Sequence, residues 1–306
     1  MTDPARPSRP TDPRWPRASE WLAAGPDGRP IDVGFLGVPA FRTSLSPTRA
    51  DRTPGAVRGA LARYSTYAAT RNVDLAELAG KDHGDVADPD SDEPATMAAA
   101  AGAAARSRLM VACGGDNSIT YAVARGVFGE RLRGAGLVTL DAHHDIREGV
   151  SNGSPVRRLV EAGLDPTRIA QVGISDWANS GSYAEEASAW GITVISRREV
   201  ARRGIADCMH EALDVAGSGA AEVYVDLDVD VCDRAVAPAC PASVPGGLSA
   251  GELLDAAYLA GRDPRVRALD ITEVDADADA ADGRTVRLAA LCVLEAAAGL
   301  VARTAR

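Results

Sequence analysis

Leu137-Val138-Thr139-Leu140-Asp141-Ala142-His143-His144-Asp145-Ile146-Arg147 is the stretch that decides the fold of this 306-residue chain. Its first four residues are apolar or β-branched, which reads as a strand buried on both faces, as in a parallel sheet. The run then stops at two carboxylates and two imidazoles within five residues. In an open α/β sheet the carboxyl ends of the strands are where ligands bind. A second stretch repeats the design, with Val223-Tyr224-Val225 leading into Asp226-Leu227-Asp228-Val229-Asp230. Alternate residues of an extended chain share a face, so Asp141, His143 and Asp145 can converge, and so can Asp228 and Asp230. The two stretches read as two halves of a metal site.

Outward from these strands, β and α patterns alternate. A first strand covers 31–38 and is followed by a loop with Arg42, Arg49 and Arg52. A helix opens at Thr53-Pro54, with a capping residue ahead of an N1 proline. Helices are predicted over 93–106, 119–127, 154–162, 183–190, 205–216, 250–260 and 285–302. Strands are predicted over 109–113, 169–174, 192–195, 223–228 and 266–272. The strand at 109–113 runs into Gly114-Gly115-Asp116-Asn117-Ser118, and the last one ends at Glu273-Val274-Asp275. This alternation implies an α/β fold with a mainly parallel sheet and helices on both faces. It makes 29–306 a single domain. Residues 1–28, rich in Pro, Arg and Asp, read as a mobile tail with at most a short helix at 18–24.

Composition narrows the function classes. With 43 acids against 33 bases the net charge is −10, which argues against nucleic acid as partner. No apolar run approaches the roughly 20 residues that span a bilayer, so no membrane partner is expected. The N-terminus lacks the apolar segment of a signal peptide. The five cysteines are odd in number and form no CxxC pair, which predicts a reduced, cytoplasmic location.

A lone DxD at a strand end is ordinarily a cap or a surface acid. Two such ends on separate buried strands, with a Gly-Gly-Asp turn upstream, are harder to explain that way. Carboxylates with one or two imidazoles suit Mn²⁺ better than a thiolate-seeking metal. Two such ions about 3.5–4 Å apart would activate water for attack on a planar carbon.

The ordered motifs GGDNS (114–118), DAHHD (141–145), VDLDVDVCD (225–233) followed by APACPASVPGGLS (237–249), and DITEVD (270–275) resemble the ureohydrolase superfamily. That superfamily contains arginase, agmatinase, guanidino-acid hydrolases and formimidoylglutamase. Arg52–Arg58 and Asp82-His83-Gly84-Asp85-Val86 also look like family segments, and the likeness covers roughly 31–303. It implies a three-layer α/β/α sandwich, a centre of two Mn²⁺ ions and hydrolysis of an amidine or guanidine C–N bond. It further implies that Asp141 and Asp228 bridge the metals, that His143 and Asp230 complete one site, and that Asp145 completes the other. Asp145 would also take the proton of the attacking water, and Glu273 would face the substrate's cation. A homo-oligomer, trimer or hexamer, is implied as well.

The chain departs from the pattern in several places, among them Arg234 after Asp233, where the family usually has Pro. Asn117 stands where the family has a His ligand, so the centre could hold one ion, with Asn117 ligating through its side-chain oxygen or with His144 or Asp116 compensating. Asp226 replaces a usual Ser. The loop after DAHHD, Ser151-Asn152-Gly153-Ser154-Pro155, lacks the His of arginase-like and agmatinase-like members. That loop and the DAHxDxR pattern resemble formimidoylglutamase-like members instead. The implied substrate is N-formimidoyl-L-glutamate, cleaved to glutamate and formamide. Its carboxylates suit arginine, with Arg147 foremost and Arg42, Arg49, Arg157 or Arg158 as helpers. Asn152, Ser154 and Glu273 complete the expected substrate contacts. An agmatinase or another guanidino-compound hydrolase releasing urea is the second reading. A metal-poor, non-catalytic family member is the third.

Overall fold

The computed structural model describes residues 12–304. Its strands are β1 (Ile31–Val38), β2 (Tyr67–Ala68), β3 (Val73–Asp74), β4 (Gly80–Asp85), β5 (Ser107–Gly114), β6 (Gly136–Leu140), β7 (Ile169–Ile174), β8 (Thr193–Ser196), β9 (Val223–Asp228) and β10 (Val266–Thr272). Its helices are α1 (Ala18–Ala24), α2 (Thr53–Leu61), α3 (Glu93–Arg106), α4 (Ile119–Phe128), α5 (Pro155–Glu161), α6 (Gly181–Trp190), α7 (Arg197–Arg203), α8 (Ile205–Ala216), α9 (Ala250–Arg262) and α10 (Arg284–Thr304). Eight strands form one sheet in the order β4-β1-β5-β10-β9-β6-β7-β8, and every ladder in it is parallel. β2 and β3 make a separate antiparallel pair.

The central strands are buried along nearly their whole length, with Arg108 and Arg267 near the starts of β5 and β10 the exceptions, which is why they read as largely apolar runs. One face of the sheet presents Val33, Phe35, Leu109, Val111, Val225 and Leu269 to a layer that includes α2, α8, α9 and α10. The other presents Leu36, Met110, Leu137, Tyr224 and Ala268 beneath α3 and α4. This is the three-layer sandwich expected from the sequence. With few aromatic residues, close helix approach does much of the filling. A Cβ on Gly261 of α9 would strike the Ala296 carbonyl of α10, and one on Gly299 would strike the Tyr258 carbonyl. The axes of these two helices can approach this closely only over bare backbone.

Three parts differ from the sequence reading. β4 was not visible as a strand because it is an edge, and its residues Lys81, Asp82, His83 and Asp85 carry no apolar alternation. Arg58 of α2 ties it down, with Nε bonding Asp82 and Nη1 bonding Asp85, both at 2.6 Å. α7 follows a Ser196–Glu199 capping box that the pattern of apolar residues did not reveal. Part of the expected tail belongs to the fold: α1 buries Ala18 and Leu22, and Trp21 Nε1 donates to the Leu78 carbonyl at 3.0 Å. Residues 1–11 lie outside the described residues. α10 is long and apolar enough by composition to cross a membrane, contrary to the estimate from run lengths, but it is mostly buried inside the fold.

Candidate metal centre

The sheet order sets β5, β10, β9 and β6 side by side at its middle. Their carboxyl ends therefore deliver Gly114–Asn117, Glu273, Asp228–Asp230 and Asp141–Asp145 to one place, at the crevice where parallel sheets bind ligands. Two groups of ligand-type atoms result. Asp141, His143 and Asp230 offer atoms within 4.8 Å of one another, and so do Asp141, Asp145 and Asp228. Asp141 is common to both, whereas Asp228 joins only the group around Asp145.

Local hydrogen bonds fix these side chains. The His143 amide donates to Asp141 Oδ1 at 2.6 Å, and the Asp230 amide donates to Asp228 Oδ1 at 2.8 Å. The Ala142 amide reaches Asp230 Oδ1 across 3.3 Å. His143 Nδ1 lies 3.0 Å from Asp230 Oδ2 and 3.4 Å from Asp141 Oδ1. Asp145 and Glu273 both sit at positive φ, 53° and 63°. Each such non-glycine conformation costs on the order of 1–3 kcal/mol and is retained where the surroundings demand it. At Asp145 the demand is visible. Its carbonyl accepts the Val156 and Arg157 amides of α5, while its carboxylate turns back to Asn117.

The electrostatics are those of acids lacking a counter-charge. Burial, with Asp230 next to it, pushes Asp141 up to about 7. Burial followed by neighbouring acids drives Asp145 and Asp228 well above the ordinary carboxylate range. Burial, then Asp116 and Asp230, raises Glu273 to about 8. His143 answers them: burial opposes its charge, but Asp230 and Asp141 overcome that and raise it to about 12. Burial likewise opposes ionisation of Asp230, and His143 more than offsets it, holding Asp230 below its usual value. His143, drawn toward the imidazolium form, is the positive charge in contact with these acids, and a bound cation would relieve them further. Asp141 Oδ2 is buried with no partner. Four carboxylates, one imidazole and an orphaned oxygen fit an oxygen-preferring divalent ion such as Mn²⁺.

Asn117 is not placed to replace the missing imidazole. Its Oδ1 accepts from Thr120 Oγ1 at 2.8 Å and from Thr272 Oγ1 at 3.0 Å, while its Nδ2 donates to Asp145 Oδ2 at 2.8 Å. Both lone pairs of the amide oxygen are used, and a donor rather than an acceptor faces the acids. His144 belongs to neither group of ligand-type atoms; its Nδ1 bonds Gln171 Oε1 at 2.7 Å. Asp116 is turned to the Ser118 amide and hydroxyl.

A cavity of about 370 Å³ is lined by His143, Asp145, Asp228, Asp230 and Glu273. Arg147, Asn152, His144, Asn179, Ser180 and Tyr183 line the rest, with Leu45 and Ser46. Asn152 Nδ2 donates to Glu273 Oε1 at 2.8 Å, beside the Asn117 amide at the same distance. Arg147 lies against Gly153, where a Cβ would come within 2.8 Å of its Cδ. Ser154, expected at the substrate, is instead fully buried and paired with Ser151 Oγ at 2.8 Å, outside the cavity lining. The other arginines are also spoken for. Arg42 bonds Ser91, Arg49 pairs with Asp51, Arg157 with Glu186, and Arg158 with Glu93 over the Tyr121 ring. Asn179, Ser180 and Tyr183 were not foreseen. Asn179 spans the His144 amide and the Ala142 carbonyl, a contact that no local sequence signal announces.

The profile of the arginase family matches residues 31–299. The chain belongs to the arginase family. Formimidoylglutamase of Halalkalibacterium halodurans is 33% identical over 267 residues, covering 83% of each chain. Formimidoylglutamase of Bacillus subtilis is 31% identical over 292 residues, covering 91% of each. The crystal structure of the B. subtilis protein superposes with a TM-score of 0.88 at 28% identity, covering 98% of this chain and 96% of that one. A Trypanosoma cruzi formiminoglutamase solved with Mn²⁺ shares this arginase-family fold at a TM-score of 0.85.

Proposed function

We propose that this chain hydrolyses the amidine C–N bond of N-formimidoyl-L-glutamate, giving glutamate and formamide. One observation carries the reading. One cavity is lined both by Asp145, Asp228, Asp230 and Glu273 and by Arg147, the one arginine among those weighed above that lines it. A substrate cationic at its amidine and anionic at its carboxylates matches that polarity. The formimidoylglutamases named above support the same choice.

Asp141, His143, Asp230, Asp145 and Asp228 would hold manganese, which when bound supplies Lewis acidity and makes water a stronger nucleophile near neutral pH. Two ions are proposed, and Asp141 would serve both. One beside Asp145 would be held more weakly, because Asn117 offers it no lone pair. Glu273 keeps Oε1 fixed by the Asn117 amide and Asn152, which leaves Oε2 to accept an amidine N–H. Asp145, steadied by Asn117 Nδ2, takes the proton of the attacking water and passes it to the departing nitrogen. Arg147 grips a carboxylate of the glutamate portion, and Asn152 holds Glu273 in line.

Incubation with N-formimidoyl-L-glutamate and Mn²⁺ should release formamide and glutamate in equal amounts. Urea from agmatine or a guanidino acid, without turnover of the formimidoyl compound, would overturn the substrate. A purified protein with well under one manganese per chain and no stimulated hydrolysis would favour the metal-poor reading. A cytoplasmic location is proposed with it, supported by five cysteines that are all buried and free of disulfides, and a homo-oligomer is proposed from the likeness to the family. Light scattering of the purified protein tests the assembly.

A further inference from the structure

One layer deeper in the sheet than the metal centre lies a second set of acids that the proposed reaction does not use. Thr139 of β6 is in register with Asp226 of β9, and Asp226 with Asp270 of β10, so the three side chains stand in a row on one face. All are buried, none more than 1% exposed. Asp270 Oδ2 is accounted for, accepting from Tyr224 Oη at 2.8 Å. Asp270 Oδ1, both carboxylate oxygens of Asp226 and Thr139 Oγ1 find no donor, and the two carboxylates lie within hydrogen-bonding reach of each other. These four make up half of the eight buried side-chain polar atoms without a partner among the described residues. The charged groups acting most strongly on Asp226 are all acids, namely Asp270, Asp141 and Asp145.

We propose that Asp226, Asp270 and Thr139 bind a monovalent alkali cation, Na⁺ or K⁺, beneath the manganese centre. Burying two carboxylates side by side without a counter-charge is prohibitive, so something must neutralise them. A single proton on Asp226, bonded to Asp270 Oδ1, would satisfy two of the four atoms. It would leave the other Asp226 oxygen and the Thr139 hydroxyl as they are. A cation drawn among them satisfies all four, and carboxylate and hydroxyl oxygens are the donors that hard cations take. Mg²⁺ sheds its water reluctantly, which disfavours it among buried side chains. An alkali ion loses its water far more readily. Asp226, where the family usually has Ser, supplies the charge that creates the site.

The test uses the full chain loaded with manganese, melted in chloride salts of Na⁺, K⁺ and tetramethylammonium at one ionic strength. A site filled a hundredfold above its dissociation constant raises Tm by on the order of 5 °C in one alkali salt over tetramethylammonium. Asp226→Asn should abolish that difference. Crystals soaked in RbCl should show an anomalous peak between Asp226 and Asp270. Equal Tm in all three salts, an alkali effect that survives Asp226→Asn, or no peak at the row each overturns the proposal in favour of a shared proton. Should Asp226→Asn fail to fold, the wild-type salt series and the rubidium map decide between the two.

Discussion

Replacing Glu273 by Gln separates what the acid does for the reaction from what it does to the fold. The amide keeps an oxygen for the Asn117 amide and Asn152, so the local hydrogen bonds survive. The charge goes, and with it a charge-assisted bond to the substrate's amidine, worth about 1.5–3 kcal/mol, or roughly 10- to 150-fold in kcat/KM. Stability should move the other way. In the metal-free protein Glu273 is raised to about 8, by burial first and then by Asp116 and Asp230. A carboxyl whose folded pKa exceeds its unfolded value of about 4.3 binds more protons folded than unfolded between those two values. Its contribution to stability is therefore intact below about pH 4.3 and is lost as pH rises toward 8. At pH 7 the loss is on the order of 3–4 kcal/mol, and Glu273→Gln removes it. Metal-free Glu273→Gln should thus melt several degrees above metal-free wild type at pH 7–8, with the gap shrinking as pH falls toward 5, while the manganese-loaded variant loses at least tenfold in kcat/KM. Thermal melts from pH 5 to 9 and steady-state formamide release measure both. A variant that melts lower at pH 8, or that keeps kcat/KM within threefold of wild type, would refute the reasoning.

Arg147→Ala should raise KM for formimidoyl-glutamate by tenfold or more with a smaller change in kcat, since a bidentate carboxylate contact worth about 1.5–3 kcal/mol is lost at the cavity wall. Equal losses in kcat and kcat/KM would place Arg147 in the chemistry instead. Asn117→His should tighten the second manganese by at least tenfold in a metal titration, because an imidazole lone pair replaces the amide N–H that now faces Asp145. Unchanged stoichiometry and affinity would show that Asp145 and Asp228 do not need that ligand. Chelation should cost more stability at pH 8 than at pH 5.5. Asp141, Asp145, Asp228 and Glu273 are all raised, so stability of the bare centre is lost as pH climbs through their folded values. An equal drop in Tm at both pH values would contradict this.

Much of the site could be read from the chain because its acids end buried parallel strands, where an apolar run and its abrupt stop are both local signals. Asp141, His143, Asp228 and Asp230 needed only strand parity and strand ends. What escaped depended on partners far along the chain. The orientation of Asn117 is set by Thr272, 155 residues on, and no spacing rule indicates that its oxygen is occupied. Arg157 and Arg158 looked available beside a carboxylate site, yet Glu186 and Glu93 already hold them. Ser154 was assigned to the substrate by loop resemblance, and the turn at Ser151 buries it. The edge strand β4 hid because a strand paired on one side need not be apolar.

The side-by-side placement of β5, β10, β9 and β6 also dictates when the centre can come into being. Asn117 meets Glu273 across 156 residues, and the Ala142 amide meets Asp230 across 88. Contacts of such separation close late in folding, after the loop entropy between them has been spent. No early, partly folded form can assemble these ligands, so manganese has nothing to grip until the sheet is nearly whole. Added metal should leave the refolding rate almost unchanged and slow unfolding instead, which makes the ion a latch on the finished protein rather than a nucleus for its folding.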